Sequence, residues 1–171
     1  MRNVFKKGGV LVGFREKNSG FIMDMESCKV INQRVSSLIK PLRHMLTSLS
    51  AASDIPQIEV AVGDPETGAL GNDTIALVFR HLDDLAERDI ELIKNFGATN
   101  GIEIYLQPGG IGSVEKISND NEKQRLYYSL PAYSLKLGFH PMDFTQINGE
   151  MNTMIVDRAV SYTHLTLPTK A

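Results

Sequence analysis

The chain has 171 residues, 42% hydrophobic and 22% charged, with a formal net charge of −2. It is long enough to bury a core without disulfides or metals, and its single cysteine, Cys28, excludes an internal disulfide and fits a reducing cytosol. No apolar run approaches the roughly 20 residues of a membrane-spanning helix, and Arg2, Lys6 and Lys7 lead into alternating residues instead of the apolar stretch of a signal peptide.

The charge is unevenly spread. Residues 1–45 hold nine basic residues against Glu16, Asp24 and Glu26, a net +6, which leaves −8 for the remainder. Such asymmetry suits a polyanion-binding face, and a solvated basic strand edge would look the same.

Strand-like sequence starts at Val4-Phe5, so Met1 reads as an internal methionine. Val10 to Arg15 and Phe21 to Met25 are β-rich runs separated by the polar stretch Glu16 to Gly20, which predicts a hairpin. Val35, Leu38, Ile39, Leu42, Met45, Leu46 and Leu49 then recur at helical spacing, predicting an amphipathic helix over Gln33–Ser50 with Asn32 as N-cap. Pro41 should kink or split it near Lys40.

Gln57 to Val62 and Thr74 to Phe79 read as paired strands, with Gly63 to Asp73 as an exposed hairpin tip. A second helix is expected from Leu85 to Phe96, ended by Gly97, with Asp83, Asp84 and Glu87 favouring its start. Strands follow at Ile102 to Leu106, Val114 to Ser118, Leu126 to Leu130 and Ser134 to Phe139. Gly109 to Gly112 is a glycine-rich turn without the following helix that a phosphate loop needs, and His44, His81 and His140 lack metal-ligand spacing. The order β-β-α-β-β-α-β-β-β predicts an α+β fold with a mostly antiparallel sheet and two main helices.

From Phe144 the pattern changes. Gly149 to Val160 reads as a new helix with Met151, Met154, Ile155 and Ala159 on one side, the opening of a further domain. Val160 to Thr169 breaks the helical pattern and resembles the conceptual translation of a transposase-based sequencing adapter, so residues 160–171 are expected to be non-native and His164 and Tyr162 to carry no function.

The densest chemistry lies in His140 to Asn148 with Asn152 beyond it. A proline-containing connection, an aromatic and several amides suit a planar ligand, because the ring stacks and the amides offer paired donors and acceptors. Equally, Phe144 could be core, Asn148 a cap and Gln146 merely solvated.

The run Phe144-x-Gln146-x-Asn148-x-x-x-Asn152, preceded by Phe139-x-Pro141-x-Asp143, resembles the junction motif of RNA 5-methyluridine methyltransferases, nearest in type to those acting on 23S ribosomal RNA. Val12-Gly13-Phe14-Arg15 followed by Ile22-x-Asp24-x-x-x-Cys28 is similar to the opening of that family's central domain. The resemblance covers residues 4–159, with no diagnostic motif in the middle. It implies that Gln146 contacts S-adenosylmethionine and that Phe144 and Arg15 lie in the RNA and target-base region, with Asn148 and Asn152 in supporting roles. It implies too that Cys28 is the last of four thiolate ligands to a 4Fe–4S cluster, the other three lying upstream.

In that family a cysteine adds to uracil C6, C5 attacks the sulfonium methyl, and a base removes the C5 proton. The resemblance places nucleophile, base and Rossmann-like cofactor fold after Ala159. It implies a monomeric cytoplasmic protein cut at both ends: residues 1–140 as the central α+β domain, 141–159 as the junction and start of the methyltransferase domain, and no activity from this stretch alone. The competing reading is a complete, non-enzymatic α+β domain that binds a protein or RNA.

Overall fold

In the computed structural model, residues 2–4, 9–65, 73–118, 125–146 and 148–166 are described. The tip of the expected hairpin at 66–72, Phe5, Lys6 and Lys7, Ile147 in the junction motif and the end of the tail at 167–171 lie outside them. The fold is α+β, as the element order predicted. In chain order it runs β1 (Arg2–Val4), β2 (Gly9–Leu11), α1 (Gln33–Ser48), β3 (Gln57–Gly63), β4 (Thr74–Arg80), α2 (Glu87–Asn100), β5 (Glu103–Gln107), β6 (Glu115–Lys116), β7 (Leu126–Leu130), β8 (Leu135–Phe139) and α3 (Gly149–Thr166).

The central sheet has the order β3-β4-β5-β6, and two antiparallel ribbons, β1-β2 and β7-β8, complete the strands. Only β4 and β5 run parallel, joined by the crossover through α2. The middle strands are buried on both faces, which is why β4 reads as the continuous apolar run Ile75 to Phe79. On one face, α1 and α2 pack Leu38, Leu42, Leu46, Ile93 and Phe96 onto Ile75, Leu77, Phe79 and Ile104. On the other, the β7-β8 ribbon lays Leu126 and Phe139 over Ala76, Val78 and Tyr105.

The expected hairpin exists in reduced form. Arg15 and Ile22 form an isolated antiparallel bridge, extended by Glu16 N–H to Phe21 O (3.0 Å), Met23 N–H to Phe14 O (2.9 Å) and Met25 N–H to Val12 O (3.1 Å). Asn18 at the turn adopts φ 62°, a conformation asparagine tolerates. A Cβ on Gly13 would stand 1.8 Å from Met23 O, so only glycine lets the two limbs close there. The regular strand at this end is instead β2, paired with β1.

Four expectations are corrected. Of the two outcomes expected at Pro41, splitting does not occur: α1 runs unbroken from Gln33 to Ser48. The proline is on the exposed side, and the packing of Leu38, Leu42 and Met45 outweighs one lost backbone bond. Gly97 does not end α2: it is buried inside the helix, and Gly101, in the left-handed region at φ 61°, ends it. The strand expected over Val114 to Ser118 shortens to two residues, because Ser118 Oγ accepts the Ile104 N–H (2.8 Å) where a backbone carbonyl would continue the ladder. Finally, α3 continues past Val160 to Thr166. Nothing before Pro168 forbids a helix, and the Thr153 and Thr163 hydroxyls bond back to Gly149 O and Val160 O.

Candidate functional site

The segment 139–148 is a built turn rather than a loose linker. Phe139 is buried against Tyr128, ring centroids 5.9 Å apart. The His140 N–H donates to Asp143 Oδ2 (2.7 Å), the Asp143 N–H to His140 O (2.8 Å) and the Met142 N–H to His140 Nδ1 (3.2 Å). Pro141 is buried in this turn, so the spacing Phe139-x-Pro141-x-Asp143 reads physically as anchor, bend and clasp.

Beneath it, the His140 ring meets Tyr105 edge-on at 6.3 Å. Tyr105 is fully buried, and burial first, then the neighbouring Glu103 carboxylate, push its hydroxyl above the usual tyrosine range. That hydroxyl donates to Glu103 Oε2 (3.0 Å), and Glu103 pairs with the largely buried Lys116 (3.1 Å). The junction is thus braced from within the sheet.

Beyond the turn, Phe144 is 86% exposed. Asn148 caps α3, its Oδ1 accepting the Met151 N–H (3.0 Å), and its carbonyl accepts the Asn152 N–H. The capping alternative for Asn148 therefore holds, and the core alternative for Phe144 does not.

Two clefts meet at the junction. One, of about 650 Å³, lies between the hairpin, α1 and β3 and has largely aliphatic walls, including Ile22, Leu38 and Val60, with Arg15 in its lining. The other, of about 550 Å³, is more polar and lies between the ends of β3 and β7 and the first turn of α3, with Asp64, Phe144, Glu150 and Asn152 around it. Gln146 lines both, together with Asn32, Val62 and Thr145.

The structure therefore brings Arg15 and Gln146 to one cleft and Phe144 and Gln146 to the other. Cys28 lines neither. It is half-buried ahead of α1, with its N–H donating to Ser36 Oγ (2.8 Å). One cysteine in the chain cannot supply the four thiolates of a 4Fe–4S cluster, so these residues alone do not fit that group. Among the described residues no cluster of three His, Cys, Asp or Glu side chains forms a metal site.

Sequence reasoning missed the acids of the polar cleft. Asp64 Oδ2 accepts the Ser129 N–H (2.6 Å), tying β3 to the β7-β8 ribbon. Asp73 accepts from the Asn32 amide (2.6 Å), and its carbonyl from the Arg34 guanidinium. Asn32 thus uses its oxygen as the predicted cap and its amide as a strut, a double role no local pattern encodes.

α3 projects an apolar side outward: Met151, Met154 and Ile155 are exposed, whereas Asn152, Thr153, Val156 and Asp157 are half-buried. No helix among the described residues is long and apolar enough to cross a membrane.

The α+β unit thus carries a braced junction leading into a helix whose apolar side is exposed, and comparison with curated proteins finds relatives of this chain. Over nearly its whole length the chain is similar to curated RNA uracil-C5-methyltransferases. It is 42% identical over 160 residues to the 23S rRNA (uracil(1939)-C(5))-methyltransferase RlmD of Alkalilimnicola ehrlichii, covering 94% of this chain and 34% of that relative. The protein of the same name from Paracidovorax citrulli is 41% identical over 160 residues, with 30% of its length covered, and that from Nitrosospira multiformis 40% over 161 residues, with 35% covered. The chain thus spans about a third of the length of the curated relatives it matches. No family model matches it.

Proposed function

We propose that this chain is the central α+β domain, with the first helix of the methyltransferase domain, of an S-adenosylmethionine-dependent enzyme that methylates uracil C5 in 23S ribosomal RNA. The observation that carries the reading is the convergence at Gln146. The one amide that the family resemblance assigns to the cofactor lines both the cleft holding Arg15 and the cleft holding Phe144.

In this reading Gln146 holds the cofactor from the junction side, and the exposed ring of Phe144 offers a stacking face beside it. S-adenosylmethionine would supply an electrophilic methyl group. The residues of this chain would orient it and help exclude water, and the nucleophilic cysteine and general base would come from a following Rossmann-like domain packed on the apolar side of α3. Cys28 would provide one of four cluster ligands in the longer protein, and Arg15 would contact the RNA. The stretch alone would be inactive, a monomer, and confined to the cytoplasm. Residues 160–171 would be foreign to the native protein.

The test is a chimaera in which this chain, through Ala159, replaces the matching third of the Alkalilimnicola ehrlichii relative. Methyl transfer from labelled S-adenosylmethionine to unmodified 23S rRNA is expected. A folded chimaera that binds neither cofactor nor RNA would overturn the reading.

A further inference from the structure

We infer that His140 is a positioning residue for the proposed cofactor amide: its ring nitrogen Nδ1 clasps the turn that sets where Gln146 and Phe144 stand. The inference rests on the reading of Gln146 as the cofactor contact and adds the residue that holds it in place. Gln146 is not held by its own side chain. It is exposed, and among the described residues its amide makes no hydrogen bond. Its place in the lining of both clefts is therefore set by the backbone, which is pinned on either side. Downstream the pin is the Asn148 cap of α3, and upstream it is the turn from His140 to Asp143, which Phe144 directly follows.

Two of the bonds closing that turn join His140 and Asp143 through backbone groups and the Asp143 carboxylate. The other is made by the imidazole, Met142 N–H donating to His140 Nδ1 (3.2 Å) across Pro141, which has no N–H of its own and a fixed φ. A side chain accepting from the N–H two residues on is the geometry of an Asx turn, with the ring nitrogen in the place of an asparagine oxygen. The ring is backed from the sheet, its edge contact at 6.3 Å being with Tyr105, itself buried and bonded to Glu103. Without Nδ1 the half-buried Met142 would lose its acceptor and the turn one of its closing bonds. A turn formed in only a fraction of molecules lowers the apparent affinity for the cofactor by that fraction.

Two variants separate the nitrogen from the bulk of the ring. His140→Leu removes the acceptor and keeps an apolar side chain against Tyr105, whereas His140→Asn restores an acceptor and gives up the ring. Both leave the backbone bonds to Asp143 available. Amide hydrogen exchange at Met142 is read in the whole 171-residue chain, with a thermal melt of each variant to check that it folds. KM and kcat with S-adenosylmethionine varied are read with the same substitutions in the chimaera. His140→Leu is expected to quicken Met142 exchange and to raise the cofactor KM about threefold or more, the worth of one hydrogen bond, with kcat at saturating cofactor little changed. His140→Asn is expected to bring exchange and KM back close to the wild type.

Unchanged Met142 exchange in His140→Leu would overturn the clasp outright. An Asn variant as impaired as the Leu variant would overturn it too, because packing of the ring on Tyr105 would then be the cause. If His140→Leu quickens exchange but leaves the KM alone, the positioning role falls by itself, and the cofactor reading stands on the KM of Gln146→Leu. If Gln146→Leu leaves that KM unchanged, the cofactor reading falls and takes the positioning role with it.

Discussion

Tyr133 and Asp157 meet across 2.9 Å, the phenol at the corner between β7 and β8 donating to a carboxylate oxygen on α3. The bond to Asp157, then burial, lifts the Tyr133 hydroxyl above the ordinary tyrosine range, so the donor stays protonated through neutral pH. The contact, a single part-buried bond, orients the helix that carries the apolar outer side. Tyr133→Phe should therefore leave global stability nearly unchanged while amide exchange over Gly149 to Thr163 quickens. Unchanged exchange would mean that α3 is held by other contacts.

Asp89 is fully buried at the start of α2, yet its partners lie at the end of α1: Ser50 Oγ (2.7 Å), Ser50 N–H (3.1 Å) and Ala51 N–H (2.9 Å). Desolvation acts to raise its pKa, but the three bonds, with help from Arg88, together hold it below the usual carboxylate value. A depressed folded pKa stabilises above the unfolded value, near 3.9, and that contribution is lost as pH falls through the folded pKa. Asp89→Asn should cost about 2 kcal/mol near neutrality. It should also shrink the stability lost on acidification, because the site no longer titrates. Urea melts at several pH values would show this, and parallel acid limbs in variant and wild type would contradict it.

The same residue marks where reading the sequence stops. Periodicity located α1, β3, β4, α2, β5, β7 and β8, because each buries one face or both and carries its period in the chain. Asp83, Asp84 and Glu87 looked like the acids that matter to α2, whereas the buried one is Asp89, whose partners are 38 and 39 residues away. The site divides likewise. The run from Phe139 to Asn152 was legible as a ligand-suited junction, and the cap at Asn148 follows from local chemistry. That Arg15 and Gln146 share a cleft depends on the hairpin folding over α1 and β3, a long-range event without a local signature. The outward side of α3 was visible as a pattern, but whether it faced the sheet or away from it was not.

Gly97 and Gly101 should respond oppositely in cause though not in sign. A Cβ on Gly97 would stand 2.5 Å from Ile104 Cγ1 and 3.1 Å from Ile102 O, between a helix and a strand that cannot both retreat. Alanine gains about 1 kcal/mol of helix propensity there, against about 1–3 kcal/mol of overpacking. Gly97→Ala should thus be net destabilising, and combined with Ile104→Ala, which removes the crowding γ carbon, it should cost less than the two changes summed. Gly101 has open space around it but φ 61°, so Gly101→Ala should cost about 1 kcal/mol through backbone strain alone, and its cost should simply add to that of Ile104→Ala. Denaturant melts of the single and double variants separate the two mechanisms.

The final prediction concerns Gln146 and Arg15, which share a cleft but have different partners in the proposed enzyme. If Gln146 bonds the cofactor from the junction, Gln146→Leu in the chimaera should raise KM for S-adenosylmethionine about tenfold, the worth of one good hydrogen bond, while RNA affinity holds. Arg15→Gln should instead weaken RNA binding, reduce its salt dependence by about one phosphate contact, and leave the cofactor KM alone. Because Gln146 lines both clefts, the double variant should lose more than the two singles combined only where cofactor and base occupy them together. Steady-state kinetics with each substrate varied in turn measures this. A Gln146→Leu effect confined to RNA would reassign that amide from the cofactor to the target base.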